Sequence, residues 1–118
     1  MGGFRYDPHQ LGRAGEDRAQ RWYLSRGYEL VARNWRCREG EIDLVLRMCD
    51  RLVFAEVKTR ATDRYGTPFD AVDVHKQRRL RFLAGRFLAA YPGLGNCSVR
   101  FDAVAVVGTR VEVREGVL

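Results

Sequence analysis

Long hydrophobic runs are missing from this 118-residue chain, and so are clusters of histidine or cysteine. No stretch approaches the roughly 20 apolar residues needed to span a bilayer. Residues 1–10 carry no apolar leader, so the expectation is a cytoplasmic protein without a membrane partner. His9 and His75 have no metal-ligating neighbour at useful spacing and are expected on the surface. Cys37, Cys49 and Cys97 are an odd number, widely separated, with no CxxC pair. That spacing argues against a zinc site and leaves reduced, incidental thiols. Repeats and low-complexity segments are also missing, which confines any expected disorder to the termini.

What is present is one domain's worth of chain with a basic surplus. Residues 1–118 suffice for a single core but not two. Lys and Arg total 21 against 15 Asp and Glu, a formal net charge of +6. Such a surplus favours polyanionic partners, because each neutralised phosphate releases condensed counterions. Nucleic acid, DNA first, is the expected partner.

Asp7-Pro8 reads as an N-cap followed by proline at the first helical position, and Gly27 as a C-terminal stop. Between them Leu11, Gly15, Ala19 and Trp22, flanked by Leu24, recur at helical spacing. Residues 28–35 read as a strand and residues 34–40 as a basic loop. Residues 41–47 and 52–58 alternate, with Ile42, Leu44 and Leu46 expected on one face and Val53, Ala55 and Val57 on one face. Residues 59–68 form a turn-rich connector. Residues 70–91 read as a helix, with Asp73 as its N-cap and Leu80, Leu83, Phe87 and Tyr91 as its buried stripe. Residues 99–107 and 111–114 read as a final hairpin across Gly108-Thr109. The order α-β-β-β-α-β-β implies an α/β domain with helices packed on a central mixed sheet.

Closing the 48–51 turn by pairing Arg47 with Leu52 opposes Leu44 to Ala55, Ile42 to Val57 and Asp43 to Glu56. Lys58 then lies on the same face as Glu56. Two carboxylates roughly 5 Å apart at Cβ suit a hard cation such as Mg²⁺, with the Val57 carbonyl as a further oxygen ligand. Lys58 is suited to holding an attacking water or steadying charge on a phosphate. Glu16, on the first helix, becomes a fourth member if that helix packs beside the hairpin. Gly12 and Gly15 weaken the helix by about 1 kcal/mol each relative to alanine, which signals close backbone approach either to phosphate or to the sheet.

Gly40 to Leu44 (Gly-Glu-Ile-Asp-Leu) and Phe54 to Arg60 (Phe-Ala-Glu-Val-Lys-Thr-Arg) resemble the PD-(D/E)XK nuclease signature, with Ile42 where the superfamily's name has proline. Together with Gly15-Glu16, Tyr65-Gly66, Lys76 and Arg100-Phe101-Asp102, the chain over nearly its whole length resembles the YraN family of bacterial endonuclease-like proteins. That resemblance implies a restriction-endonuclease-like fold, Mg²⁺ or Mn²⁺ as cofactor, an active site of Glu16, Asp43, Glu56 and Lys58, and a two-fold dimer like that of Holliday junction resolvases.

The implied activity is hydrolysis of DNA phosphodiesters, including branched or structured DNA. Arg38, Arg60, Lys76 and Arg79 are the expected nucleic-acid contacts. An alternative reading is a catalytically silent nucleic-acid-binding module on the same fold. A third is an adaptor that binds an acidic protein through the helix of residues 73–91. Asp102, an acid within a strand, is read as a structural partner for an arginine.

Overall fold

The computed structural model describes residues 8–61 and 74–117, with the side chains described from Gly12 onward. Helix α1 (Pro8–Leu24) precedes three strands, β1 (Glu29–Cys37), β2 (Gly40–Met48) and β3 (Arg51–Arg60). Helix α2 (Val74–Ala90) and a short 3-10 turn (Pro92–Leu94) lead into β4 (Ser98–Val107) and β5 (Arg110–Arg114). The strands form one sheet in the order β1-β2-β3-β4-β5. β3 and β4 run parallel, and the other neighbours are antiparallel. A parallel step needs a crossover, and α2 lies within it. The α/β class, the element order and the mixed sheet agree with the sequence reading. The expected caps at Asp7 and Asp73, the place of Leu11 in the helix stripe, and Tyr65-Gly66 with most of the 59–68 connector lie outside the described residues.

The two helices take opposite faces of the sheet. Ala19 and Tyr23 of α1 pack with Leu44, Leu46, Val53, Ala55, Val104 and Val106. Leu80, Leu83, Ala84 and Phe87 of α2 pack with Ile42, Val45, Leu52, Phe54 and Ala103. Burying both faces makes the centres of β3 and β4 continuously apolar, as in other covered sheets.

The β2–β3 hairpin has the expected register from Leu44 opposite Ala55 to Arg47 opposite Leu52. The ladder ends at Leu44: the expected pairs Asp43–Glu56 and Ile42–Val57 do not form, and Ile42 and Val57 pack on opposite faces of the sheet. The expected grouping of Ile42 with Leu44 and Leu46 is incorrect. Leu44 and Leu46 face α1, whereas Ile42 faces α2 alongside Val45. β1 reverses at the same rung: Arg33 reaches α1 residues, but Trp35 packs edge-on against Phe87 of α2. Between them Asn34 has φ of 53°, a left-handed conformation that asparagine tolerates better than most residues. Arg33 pairs with Leu44 and Trp35 with Ile42, so Asn34 and Asp43 occupy the rung where both strands change faces.

Three further boundaries differ from expectation. The strand expected at 28–35 continues to Cys37, because β2 offers a partner for each added residue, and the basic loop shrinks to a turn at Arg38 and Glu39. Tyr91 is 46% exposed rather than buried, since α2 ends at Ala90. On α1 the fully buried aromatic is Tyr23, and Trp22 is only half-buried beside it. Gly27, at φ of 92°, ends α1 as expected, with the Tyr28 N–H returning to the Tyr23 carbonyl at 3.2 Å.

Candidate active site

A glycine sets the distance between α1 and the sheet. A Cβ at Gly15 would overlap Thr59 Oγ1 and stand 2.9 Å from Thr59 Cβ, whereas one at Gly12 would meet nothing within 4 Å. Of the two approaches open to the helix glycines, Gly15 makes the one to the sheet. Its neighbour Glu16 is thereby carried to the hairpin. Arg33 of β1 secures the same turn of helix, with Nη1 donating to Asp17 at 2.6 Å, Nη2 donating to the Arg13 carbonyl at 3.1 Å, and Nε 3.5 Å from Glu16.

Asp43 stands where β2 and β3 stop pairing through their backbones. The regular ladder reaches Leu44 and Ala55, and one residue further the Asp43 carboxylate accepts the Val57 N–H at 2.7 Å. Within a strand, the N–H and C=O of one residue face the same neighbour. The Val57 carbonyl therefore also faces the Asp43 side. Burial pushes the Asp43 carboxyl up to about 7 against the pull of that hydrogen bond, and the charges of Glu16, Glu56 and Glu41 push it the same way.

Carboxylate oxygens of Glu16, Glu41 and Asp43 lie within 4.8 Å of one another. Glu41 was missed in the sequence reading, although an acid two positions before Asp43 on a strand otherwise rich in apolar residues was a usable signal. It also accepts from Arg36 Nε at 2.8 Å. Glu56 stands outside this triplet but lines the same cavity of about 270 Å³ as Asp43 and Glu41, with Lys76 and Arg79 of α2 on its other wall. Lys58 reaches this wall through a side-chain contact with Lys76, and its pKa is lowered first by burial and then by that neighbouring amine.

Of the expected residues, Asp43, Glu56, Lys76 and Arg79 line the cavity, whereas Glu16 joins through its approach to Asp43 and Lys58 through its contact with Lys76, neither lining it. Arg38 and Arg60 are placed differently. Arg38 is exposed on the β1–β2 turn beyond Gly40, and Arg60 is exposed at the end of β3 with Nη1 on the Thr59 carbonyl. Neither lines the cavity.

The family model described as "Uncharacterised protein family UPF0102" matches residues 15–106. A UPF0102 protein of Parafrankia sp. is 49% identical over 112 residues, covering 91% of this chain and 94% of that protein. A UPF0102 protein of Clavibacter michiganensis is 51% identical, covering 85% and 84%, and one of Pseudomonas putida is 42% identical, covering 86% and 83%. The chain belongs to the UPF0102 family. The part matched by the UPF0102 model begins at the glycine that docks α1 and contains all the acids and amines of the cleft.

The donor set of this UPF0102 cleft fits a hard divalent cation. All its side-chain donors are carboxylate oxygens, the ligands Mg²⁺ and Mn²⁺ prefer. An octahedral ion with bonds of about 2.1 Å holds adjacent oxygens about 3.0 Å and opposed oxygens about 4.2 Å apart, so the oxygens of Glu16, Glu41 and Asp43, which lie within 4.8 Å of one another, would draw together on binding one ion. Soft-metal chemistry is disfavoured here, because neither histidine nor cysteine belongs to the cluster. No helix among the described residues is long and apolar enough to cross a membrane.

Proposed function

We propose that this UPF0102 protein is a divalent-metal-dependent nuclease of the PD-(D/E)XK type that hydrolyses DNA phosphodiesters, structured or branched DNA included. The observation that carries this reading is the convergence of acids from three elements, Glu16 of α1, Glu41 and Asp43 of β2 and Glu56 of β3, with Lys58 two residues along β3 and Lys76 and Arg79 of α2 on the facing wall. A wall of acids facing a wall of cations can hold a metal ion and a phosphate diester side by side.

Glu16, Glu41 and Asp43 would hold Mg²⁺ or Mn²⁺, with Glu56 and the Val57 carbonyl as further oxygens. When bound, the cation supplies Lewis-acid polarisation of the phosphoryl oxygens. The chain's own groups do the rest. Lys76 and Arg79 bind the non-bridging phosphate oxygens from the α2 side. Lys58, whose proton is loosened by burial and by Lys76, orients a water for attack on phosphorus and takes part in moving its proton. The ester P–O bond opposite the attacking water breaks, giving a phosphate monoester and a free hydroxyl.

The test is incubation of labelled linear, flapped and four-way-junction DNA with Mg²⁺ or Mn²⁺. Cleavage that is lost in Asp43→Ala and Glu56→Ala supports the proposal. No cleavage of any substrate, or full activity in both variants, overturns it. The same panel separates the silent binding module, which would retain salt-sensitive DNA affinity without any product.

A further inference from the structure

A second basic surface lies on the opposite flank of α1. Arg18, Arg21 and Trp22 share one face of α1, and Ser25 and Arg26 in the turn just past its end continue the same surface. Helices usually bury such a face, but this one lines an open groove of about 530 Å³ whose other wall is Thr109 and Val111. Among the described residues, no acid lines the groove. Arg18 and Arg21, about one turn apart on α1, are like charges that repel, which an anion bound between them would relieve.

One of these cations is already ordered. The Arg26 guanidinium stacks 3.7 Å above the Trp22 ring, and its Nη1 donates to the Trp22 carbonyl at 3.0 Å and to Ser25 Oγ at 3.2 Å. A fixed, planar guanidinium loses little freedom on binding phosphate. Ser25 Oγ already donates to the Trp22 carbonyl at 2.8 Å, while the exposed Thr109 adds a neutral hydroxyl of the kind that contacts phosphate oxygens.

The groove begins at the same end of the sheet as the acid cluster. β3 and β4 run parallel with Arg60 beside Val107, and the Gly108 N–H donates to the Arg60 carbonyl at 3.3 Å. The β4–β5 turn that carries Thr109 therefore adjoins Arg60, two residues past Lys58. From there the groove follows α1 away from the cleft, for about 9 Å from Arg18 to the helix end at Leu24 at 1.5 Å per residue, with Arg26 just beyond. That length spans two to three phosphates of one strand at the roughly 3.4 Å axial rise of each DNA strand.

We propose that the groove between α1 and β5 is a second nucleic-acid backbone site, which grips a DNA strand leaving the metal-dependent cleft past Arg60. The inference rests on the nucleic-acid reading of the cleft but not on turnover there. Its test measures binding of fluorescein-labelled duplex and four-way-junction DNA by anisotropy, in EDTA, from 50 to 300 mM salt. The proteins are the full chain, Arg18→Gln/Arg21→Gln, and the control Arg47→Gln, whose residue does not line the groove, each checked for folding by circular dichroism.

The double variant is expected to bind roughly tenfold or more weakly at 150 mM salt, and its slope of log affinity against log salt to fall by nearly two, about 0.9 per phosphate contact. Arg47→Gln should leave both unchanged. Binding and slope unaltered in a folded double variant overturn the groove while leaving the cleft reading intact. Loss of binding in that variant, when the wild-type chain cuts nothing, sustains the groove and removes the nuclease. Unimpaired DNA binding together with lost binding to phosphatidylserine vesicles would assign the arginines to a membrane surface and overturn the proposal.

Discussion

The Tyr23 hydroxyl donates a 2.7 Å hydrogen bond to the Asp102 carboxylate, joining positions 79 residues apart. Asp102 is fully buried, yet it also accepts Arg100 Nε and Nη2, each at 2.9 Å, and the Gly116 N–H at 3.0 Å. Burial and the Asp102 charge push the Tyr23 hydroxyl's pKa far up, which keeps it a donor. This network fixes the C-terminal half of α1 to β4, while Gly15 and Arg33 fix the part that carries Glu16.

Tyr23→Phe should therefore destabilise the fold by about 1.5–3 kcal/mol, the usual worth of a hydrogen bond to a charged group. Asp102→Ala should cost more, about 3–5 kcal/mol, since it removes the buried partner of the Arg100 guanidinium and of the Tyr23 hydroxyl, leaving Arg100 only Glu115 at 3.5 Å and the Tyr28 hydroxyl at 3.0 Å. Urea unfolding of both variants measures this. A Tyr23→Phe midpoint equal to wild type would show that the bond contributes nothing.

Gly15→Ala should destabilise by about 1–3 kcal/mol, the cost of overpacking, and should displace Glu16 from the acid cluster. Thr59→Ala removes the Oγ1 and Cγ2 atoms that the new methyl meets, so the double variant should recover part of the loss. A double-mutant cycle in thermal unfolding reads the coupling. Simple additivity would mean that α1 shifts freely.

The hairpin register was legible because a turn and two alternating segments leave a single pairing that buries the apolar residues. The close approach at Gly15 was legible as an approach, but its partner was not, since Thr59 is 44 positions away. The face change at Asn34 and Asp43 was hidden: alternation assumes an uninterrupted pleat, and a non-glycine residue at positive φ gives little warning. Tyr23 was passed over for Trp22 because adjacent aromatics both fit a helical stripe, and only the distant acid Asp102 selects between them. Glu41 was read as part of a motif rather than as a ligand, for want of the third dimension that brings Glu16 to it.

Asp43 has a folded-state pKa of about 7 against an ordinary 3.8. The native state then holds a proton that the unfolded state has lost across this window, so stability should fall as pH rises from about 4 to about 7 and level off beyond. Asp43→Asn, which keeps an oxygen for the Val57 N–H, should remove that decline and be the more stable protein at pH 8, by at most about 4 kcal/mol at 1.36 kcal/mol per pKa unit. Thermal melts of the metal-free proteins at pH 5 and pH 8 test the sign. A wild-type curve that rises through this range would refute it.

Mn²⁺ should raise the melting temperature more at pH 8 than at pH 5, because the cation replaces the proton at Asp43. Glu41→Gln should weaken Mn²⁺ binding about tenfold or more in calorimetry, whereas Glu39→Gln on the neighbouring turn should not. Equal affinities for the two variants would remove Glu41 from the ligand set.

Lys58→Met should lower cleavage by about two to four orders of magnitude, the usual contribution of a positioned acid or base, with Mn²⁺ affinity preserved. Lys76→Met should chiefly weaken substrate binding and return the Lys58 pKa upward, shifting the pH–rate profile to higher pH. An unshifted profile would mean that the two amines do not influence each other.

The rung at which both strands of the first hairpin change faces also decides where the chain can vary in length. Residues on the tip side of Asn34 and Asp43 end in the exposed Arg38–Glu39 turn, so extra pairs of residues at that tip would lengthen a protruding arm and leave the acids where they are. A single residue inserted between Asp43 and Cys49 would instead exchange the α1-facing and α2-facing sides of β2 and separate Asp43 from Val57. Length polymorphism should therefore concentrate at the tip, making it the natural point to graft a tag or a recognition loop.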